Sequence, residues 1–168
     1  MSIIIGINAY HGDSSACLVK DGVLVAAAEE ERFKRIKHWA GFPIDSIKYC
    51  LDEAEISLDD VNHIAVNSDP KANLGRKVIH SVVKRSNFSF LIDRLKNKRN
   101  RLSIRDELGT LIPDSNFLGK THNIEHHLCH LSSSYHVSNF EKSIAISVDG
   151  FGDFASAAWG LCLSLIHI

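Results

Sequence analysis

The sequence has little of what marks a membrane-spanning, secreted or disordered chain. Nowhere in its 168 residues does an apolar run approach the ~18–20 residues needed to cross a bilayer. The N-terminus, Met1-Ser2-Ile3-Ile4-Ile5-Gly6, has neither the basic n-region nor the longer apolar stretch of a signal peptide, so a cytoplasmic protein is expected. Prolines number only three, and 45% apolar with 23% charged residues is the composition of a folded domain rather than a disordered tail. The four cysteines (Cys17, Cys50, Cys129, Cys162) stand far apart in a chain with an adequate apolar fraction, which favours reduced thiols over a disulfide framework. Internal repeats and low-complexity segments are lacking. The length suits one core, since single cores occupy roughly 100–200 residues. A complete multidomain enzyme is thereby excluded, and chemistry that needs a second domain must come from another chain or from further sequence.

Negative charge is scarce in one stretch. Residues 71–105 hold eleven of the nineteen Lys and Arg against a single acid, Asp93, whereas residues 1–70 are acidic by twelve to six. The basic block carries no interleaved aromatic ladder and no nucleic-acid recognition motif, so a solvated helical face, or charge that retains a phosphate-bearing substrate, is favoured over a nucleic-acid partner.

What is present reads as alternating strands and helices. Ile3 to Asn8 is a β-branched run suited to a central strand buried on both faces. After the polar break His11-Gly12-Asp13-Ser14-Ser15 come the apolar runs 15–19 and 23–28, joined by Asp21-Gly22, a tight-turn signal. The three make a meander. Glu29-Glu30-Glu31 breaks the pattern, and Pro43 opens a helix over 44–55 whose apolar positions Ile44, Ile47, Leu51 and Ala54 share one face. A strand over 61–67 follows. Val78, Val82, Val83, Phe90, Leu91 and Leu95 place helices within 71–110, a further helix covers roughly 124–136, and a strand over 143–149 ends in Asp149-Gly150-Phe151-Gly152-Asp153. The expected class is α/β with a mixed sheet, a β-meander and flanking helices. Leu163-Ser164-Leu165-Ile166-His167-Ile168 reads as the translated end of a transposon-type sequencing-library adaptor. It is set aside from the fold as a read-through, which makes residues 1–162 the natural part of an incomplete domain.

Half of the ten histidines lie between His122 and His136. His126 and His130 are one helical turn apart and project from one face, so their imidazoles can converge on a metal. The Glu that follows the first His of helical zinc proteases is absent, His127 standing there instead, so that reading fails. Hydrogen-bonded surface histidines are an equally good account of the pair. The strand-end carboxylates Asp149 and Asp153, with Gly150 and Gly152 beside them, suit a ligand site beyond the carboxyl end of a strand, or simply a hairpin whose second strand is Ala155 to Trp159. The His11-to-Ser15 turn can likewise cradle phosphate or cap itself.

Five motifs together resemble the N-terminal domain of the NodU/CmcH/TobZ family of O-carbamoyltransferases. They are Gly6 to Ala16, Glu29 to Phe33, Arg35-Ile36-Lys37-His38 with Phe42-Pro43, His126-His127-Leu128-Cys129-His130, and Val148 to Gly152. The resemblance implies an actin-like/sugar-kinase (ASKHA) fold and an enzyme whose C-terminal YrdC-like domain, absent here, makes carbamoyladenylate from carbamoyl phosphate and ATP. The N-terminal domain then passes the carbamoyl group to a hydroxyl of a small-molecule acceptor. It further implies a divalent metal, iron in the family, held by His126, His130 and Asp149, with one more carboxylate outside this sequence. Cys129 stands where the family often has alanine. Asp13, Ser14, Gly150 and Gly152 are the expected nucleotide-binding positions. His11 is the expected base or carbamoyl hydrogen-bonder, and Lys37 the cation for the adenylate phosphate. His127, about 100° round the helix from His126, is expected to matter less for metal, with substrate contact left open to it. A tRNA-modifying transferase, a phosphotransferase of the same fold and a non-catalytic metal- or nucleotide-binding fragment are the competing readings. Neither the acceptor nor the oligomeric state is encoded in a readable motif.

Overall fold

The computed structural model describes residues 1–73, 75, 103–113 and 116–163, apart from the Phe151 side chain. Most of the basic block, including the apolar positions Val78 to Leu95, and the terminal residues 164–168 lie outside the described residues. The chain forms two compact units: residues 1–67 with 87–122, and residues 68–86 with 123–168.

In the first unit five strands form one mixed sheet in the order β3-β2-β1-β4-β5, with β1 Ile3–Asn8, β2 Ser15–Lys20, β3 Val23–Glu29, β4 His63–Val66 and β5 Lys120–Asn123. The meander is antiparallel, Ile3 pairing with Lys20 and Asn8 with Ser15, while β4 lies parallel to β1 on its other side. Asp21 and Gly22 both adopt positive φ (50° and 84°), the mirror-image turn whose twist matches the flanking strands. Strand β1 is not buried on both faces. Ile3, Ile5 and Ile7 are 1%, 0% and 4% exposed, while Ile4, Gly6 and Asn8 between them are only partly covered, the alternation of a strand with one core face.

Helix α1 (Glu31–Lys34) is a single turn that the charged run Glu29 to Arg32 did not announce, and α2 (Ile44–Glu53) packs on β2 and β3. From α2, Ile47, Cys50 and Leu51 enter the core beside Leu18, Val61 and Ile64, with Ile44 and Ala54 at its margin. Pro43, the residue before α2, offers no capping side chain. Glu30 takes over that task. Fully buried, its carboxylate accepts the Ser46 N–H at 2.9 Å, the Ser46 hydroxyl at 2.8 Å and the Asp45 N–H at 3.2 Å, so the helix's orphan donors neutralise a charge that burial would otherwise penalise. Helix α3 (Ile104–Leu111) begins at Ser103 with a reciprocal Ser103–Asp106 capping box and sends Leu108 and, beyond its end, Phe117 into the same core. Edge strand β5 was not expected, because Lys-Thr-His-Asn is exposed at every position and carries no apolar period.

The second unit contains α4 (His126–His136) and a hairpin of β6 (Lys142–Gly152) and β7 (Ala155–Leu163). Strand β6 does not end at Asp149 as expected. It runs on to Gly152, which pairs with Ala155 across a two-residue turn, Asp153-Phe154, with φ of 45° and 69°. The ladder is broken between Val148 and Gly152, where three residues of β6 oppose one of β7. This bulge carries Asp149. Bulges re-aim side chains, and here the same segment that reads as a strand end in sequence is an interruption within a longer strand.

Candidate metal centre

The site is assembled in the second unit from one helix face and one strand bulge. Glu125 precedes α4 and its carboxylate accepts the Leu128 N–H at 2.7 Å, while the Asp153 carboxylate, at the hairpin tip, accepts the His126 N–H at 2.9 Å. Two acids thus close the helix N-terminus, where the macrodipole favours negative charge. Asp153 also accepts from the Asp69 N–H at 2.8 Å and, through its carbonyl, from the Asn73 amide at 2.9 Å. These bonds make Asp153 a clamp. Sequence reading treated it only as a second strand-end carboxylate.

Starting from that anchored end, His126 and His130 stack one above the other, their Nε2 atoms 3.1 Å apart and their rings nearly perpendicular at 81°. Asp149 Oδ2 lies 2.7 Å from His126 Nε2 and 3.4 Å from His130 Nε2. One donor atom from each residue lies within 4.8 Å of the others. Bonds of about 2.0–2.2 Å at angles between octahedral and tetrahedral put ligand atoms about 2.8–3.6 Å apart, so the 3.1 Å and 3.4 Å separations fit a divalent cation and the 2.7 Å His126–Asp149 hydrogen bond need open by only about 0.1 Å to join them. His126 and the Gly150 N–H, which donates to Asp149 Oδ1 at 2.6 Å, hold the Asp149 carboxyl down at about 2. It is therefore ionised and ready as a ligand at neutral pH.

Cys129 does not join the three. Its sulfur is not among the converging donor atoms, and burial raises its thiol pKa. His127 is not among the three either. It is completely buried, with Nδ1 2.8 Å from Ser147 Oγ. Gly152 packs under the His126 ring: a Cβ built there would stand 2.0 Å from His126 Cδ2. Gly150 is exposed beside Asp149.

The remaining expected residues belong to the first unit. His11 and Lys37 are exposed on loops. Asp13 has positive φ (63°) and its carboxylate lies 2.8 Å from His38 Nδ1, a contact that raises the His38 pKa. The Asn8 amide donates to the Asp13 carbonyl at 2.9 Å. Ser14 is fully buried, its hydroxyl 2.8 Å from the Gly41 carbonyl and 3.1 Å from that of His11, which ties the turn after β1 to the loop before α2. His38 and Asn8 are polar members of this cluster that the sequence placed within motifs without assigning either a role.

Comparison with known proteins bears on both units. The carbamoyltransferase N-terminus family matches residues 3–162. The chain is 36% identical over 168 residues to an uncharacterized protein, sll1178, of Synechocystis, covering 94% of this chain and 27% of that protein. It is 37% identical over 149 residues to nodulation protein NolNO of Sinorhizobium fredii, covering 89% of this chain and 21% of NolNO. It is 30% identical over 151 residues to the uncharacterized protein MJ1051 of Methanocaldococcus jannaschii, covering 90% and 23%. The chain thus spans about a quarter of the length of these relatives. Among solved structures, YeaZ from Pseudomonas aeruginosa aligns at 18% identity with a TM-score of 0.46, over 96% of this chain and 59% of YeaZ.

Proposed function

The chain belongs to the carbamoyltransferase family, as its N-terminal part, and on that footing we propose that it serves the transfer of a carbamoyl group from carbamoyladenylate to a hydroxyl of a small metabolite. The observation that carries the reading is the convergence of His126, His130 and Asp149 within a chain of this family. These three residues would hold a divalent cation, iron by family resemblance, which would supply Lewis-acid polarisation of an oxygen. The two imidazoles and the Asp149 carboxylate would be the donors of this chain.

In the transfer, the acceptor oxygen bonds to the carbamoyl carbon, the bond from that carbon to the adenylate phosphate oxygen breaks, and AMP leaves. His11, exposed after β1, accepts the hydroxyl proton or hydrogen-bonds the carbamoyl group, and Lys37 neutralises the phosphate. Asp13 is assigned to nucleotide binding through the backbone of the turn after β1, whereas Ser14, fully buried, and Gly152, under the His126 ring, brace their own loops. ATP and carbamoyl phosphate are the ultimate co-substrates, used by a YrdC-like domain.

The test is a chimera in which residues 3–162 replace the matching segment of NolNO, incubated with ATP and labelled carbamoyl phosphate. ATP-dependent movement of label into a small hydroxylated acceptor supports the reading. Label in added tRNA and not in small acceptors would move the protein to the tRNA-modifying class. Label retained by carbamoyl phosphate under all conditions, with the chimera folded, would remove the assignment.

A further inference from the structure

Among the described residues of the second unit His127 is the most deeply buried imidazole, at 0% exposure, and only one of its nitrogens has a hydrogen-bond partner. Nδ1 lies 2.8 Å from Ser147 Oγ, while Nε2 is buried without a hydrogen-bond partner. A buried polar atom left unpaired costs about 1–3 kcal/mol, and an apolar residue of similar volume avoids that cost. Stability therefore does not account for a histidine here. Its position suggests another account. His127 is next in sequence to His126 and three residues before His130, and Ser147 is two residues before Asp149, just ahead of the bulge in β6. The His127–Ser147 bond thus ties the helix to the strand within one residue of a ligand on the first and two on the second.

We propose that His127 is a positioning residue for the His126–His130–Asp149 cluster, fixing the rotation of α4 against β6 through Ser147 so that both imidazoles face the Asp149 carboxylate. The proposal rests on the metal reading above. Directional bonding is what the task requires. Turning a helix by about 10° moves an atom about 6 Å from its axis by about 1 Å, whereas metal–ligand distances tolerate only about 0.2 Å. Leu131, the other buried residue of this helix face, packs without angular preference and cannot set rotation that finely. The Asp153 carboxylate fixes where the helix begins, and the His127–Ser147 bond fixes which way it faces.

The experiment compares the 168-residue chain with His127→Leu, Ser147→Ala, His127→Asn and, as a metal control, His126→Ala. Two properties are read: Co(II) affinity from its visible absorption, and, in metal-free protein, the NMR signature of the His126 imidazole hydrogen-bonded to Asp149. Asn places a polar atom near the position of imidazole Nδ1. The expected result is that His127→Leu and Ser147→Ala fold, lose the His126–Asp149 signature and bind Co(II) about 10–100-fold more weakly, the usual cost of losing an outer-shell partner. His127→Asn should recover affinity to within about threefold. Should His127→Leu fail to fold, Ser147→Ala decides. Unchanged His126–Asp149 signature in the folded variants would overturn the proposal whatever the metal result. If the unaltered chain binds Co(II) no better than His126→Ala while the signature is still lost on His127→Leu, the positioning role stands and the metal reading falls.

Discussion

Gly152 and His126 are in such close approach that a Cβ on the glycine would lie 2.0 Å from Cδ2 and 2.3 Å from Cγ of the imidazole. The ring has no room to yield toward the strand, so any side chain at 152 pushes His126 off the line to Asp149 Oδ2, now 2.7 Å away. Gly152→Ala is therefore expected to weaken Co(II) or Zn(II) binding at least tenfold by calorimetry while leaving the Asp153-Phe154 turn, and hence the circular dichroism of the hairpin, in place. Unaltered affinity in a folded Gly152→Ala protein would show that the imidazole does not need this seat.

Glu30 should be the costliest acid in the first unit to remove. Its carboxylate satisfies the first donors of α2 from complete burial, so Glu30→Ala strands the Ser46 N–H and hydroxyl without a partner. The expected loss is about 2–4 kcal/mol in urea denaturation. Glu30→Gln, which can still accept one of these bonds, should lose less.

The Asp13–His38 contact predicts a pH dependence of known sign. The hydrogen bond that His38 donates to the Asp13 carboxylate, followed by the charge of that carboxylate, raises the His38 pKa above the ordinary histidine value. A group raised on folding contributes its stabilisation in full below the unfolded pKa and loses it as pH rises through the folded value. NMR titration should find His38 titrating above a free imidazole in the intact chain and returning toward the ordinary value in Asp13→Asn. An unshifted His38 in the intact chain would mean that the turn after β1 is not held to the Lys37-His38 loop by this pair.

Cys50 lies in the core between α2 and β2, its thiol donating to the Ala16 carbonyl, and burial pushes its pKa up to about 11. At pH 8 it should resist iodoacetamide in the native protein and react only on unfolding. Mass spectrometry after brief labelling checks this directly, and rapid native labelling of Cys50 would contradict the packing of α2 on the sheet.

Much of the first unit was legible in the chain. The runs 3–8, 15–19 and 23–28 carry two-residue alternation or β-branched density, Asp21-Gly22 supplies the turn, and Ile44, Ile47 and Leu51 mark the helix face; strands β1 to β3 and helix α2 follow within two residues at each end. Strand β5 was illegible because a fully exposed edge needs no apolar pattern; its pairing partner supplies the only reason for it to be extended. Glu30 reads as part of a charged strand breaker, and its role as cap to a helix fourteen residues away exists only once β3 and α2 are packed.

The candidate site divides in the same manner. The one-turn spacing of His126 and His130 is a property of any α-helix, so sequence alone determined that the two imidazoles share a face. That Asp149 meets them depends on a bulge in β6, and a bulge is a mismatch between two paired strands that neither strand encodes by its own periodicity. Likewise the inward turn of His127 toward Ser147, and the place of Gly152 under the His126 ring, were decided by which face of α4 the hairpin covers. Local backbone chemistry sets side-chain spacing along an element, whereas the meeting of two elements is set by packing between residues distant in the chain, which no single stretch of sequence contains.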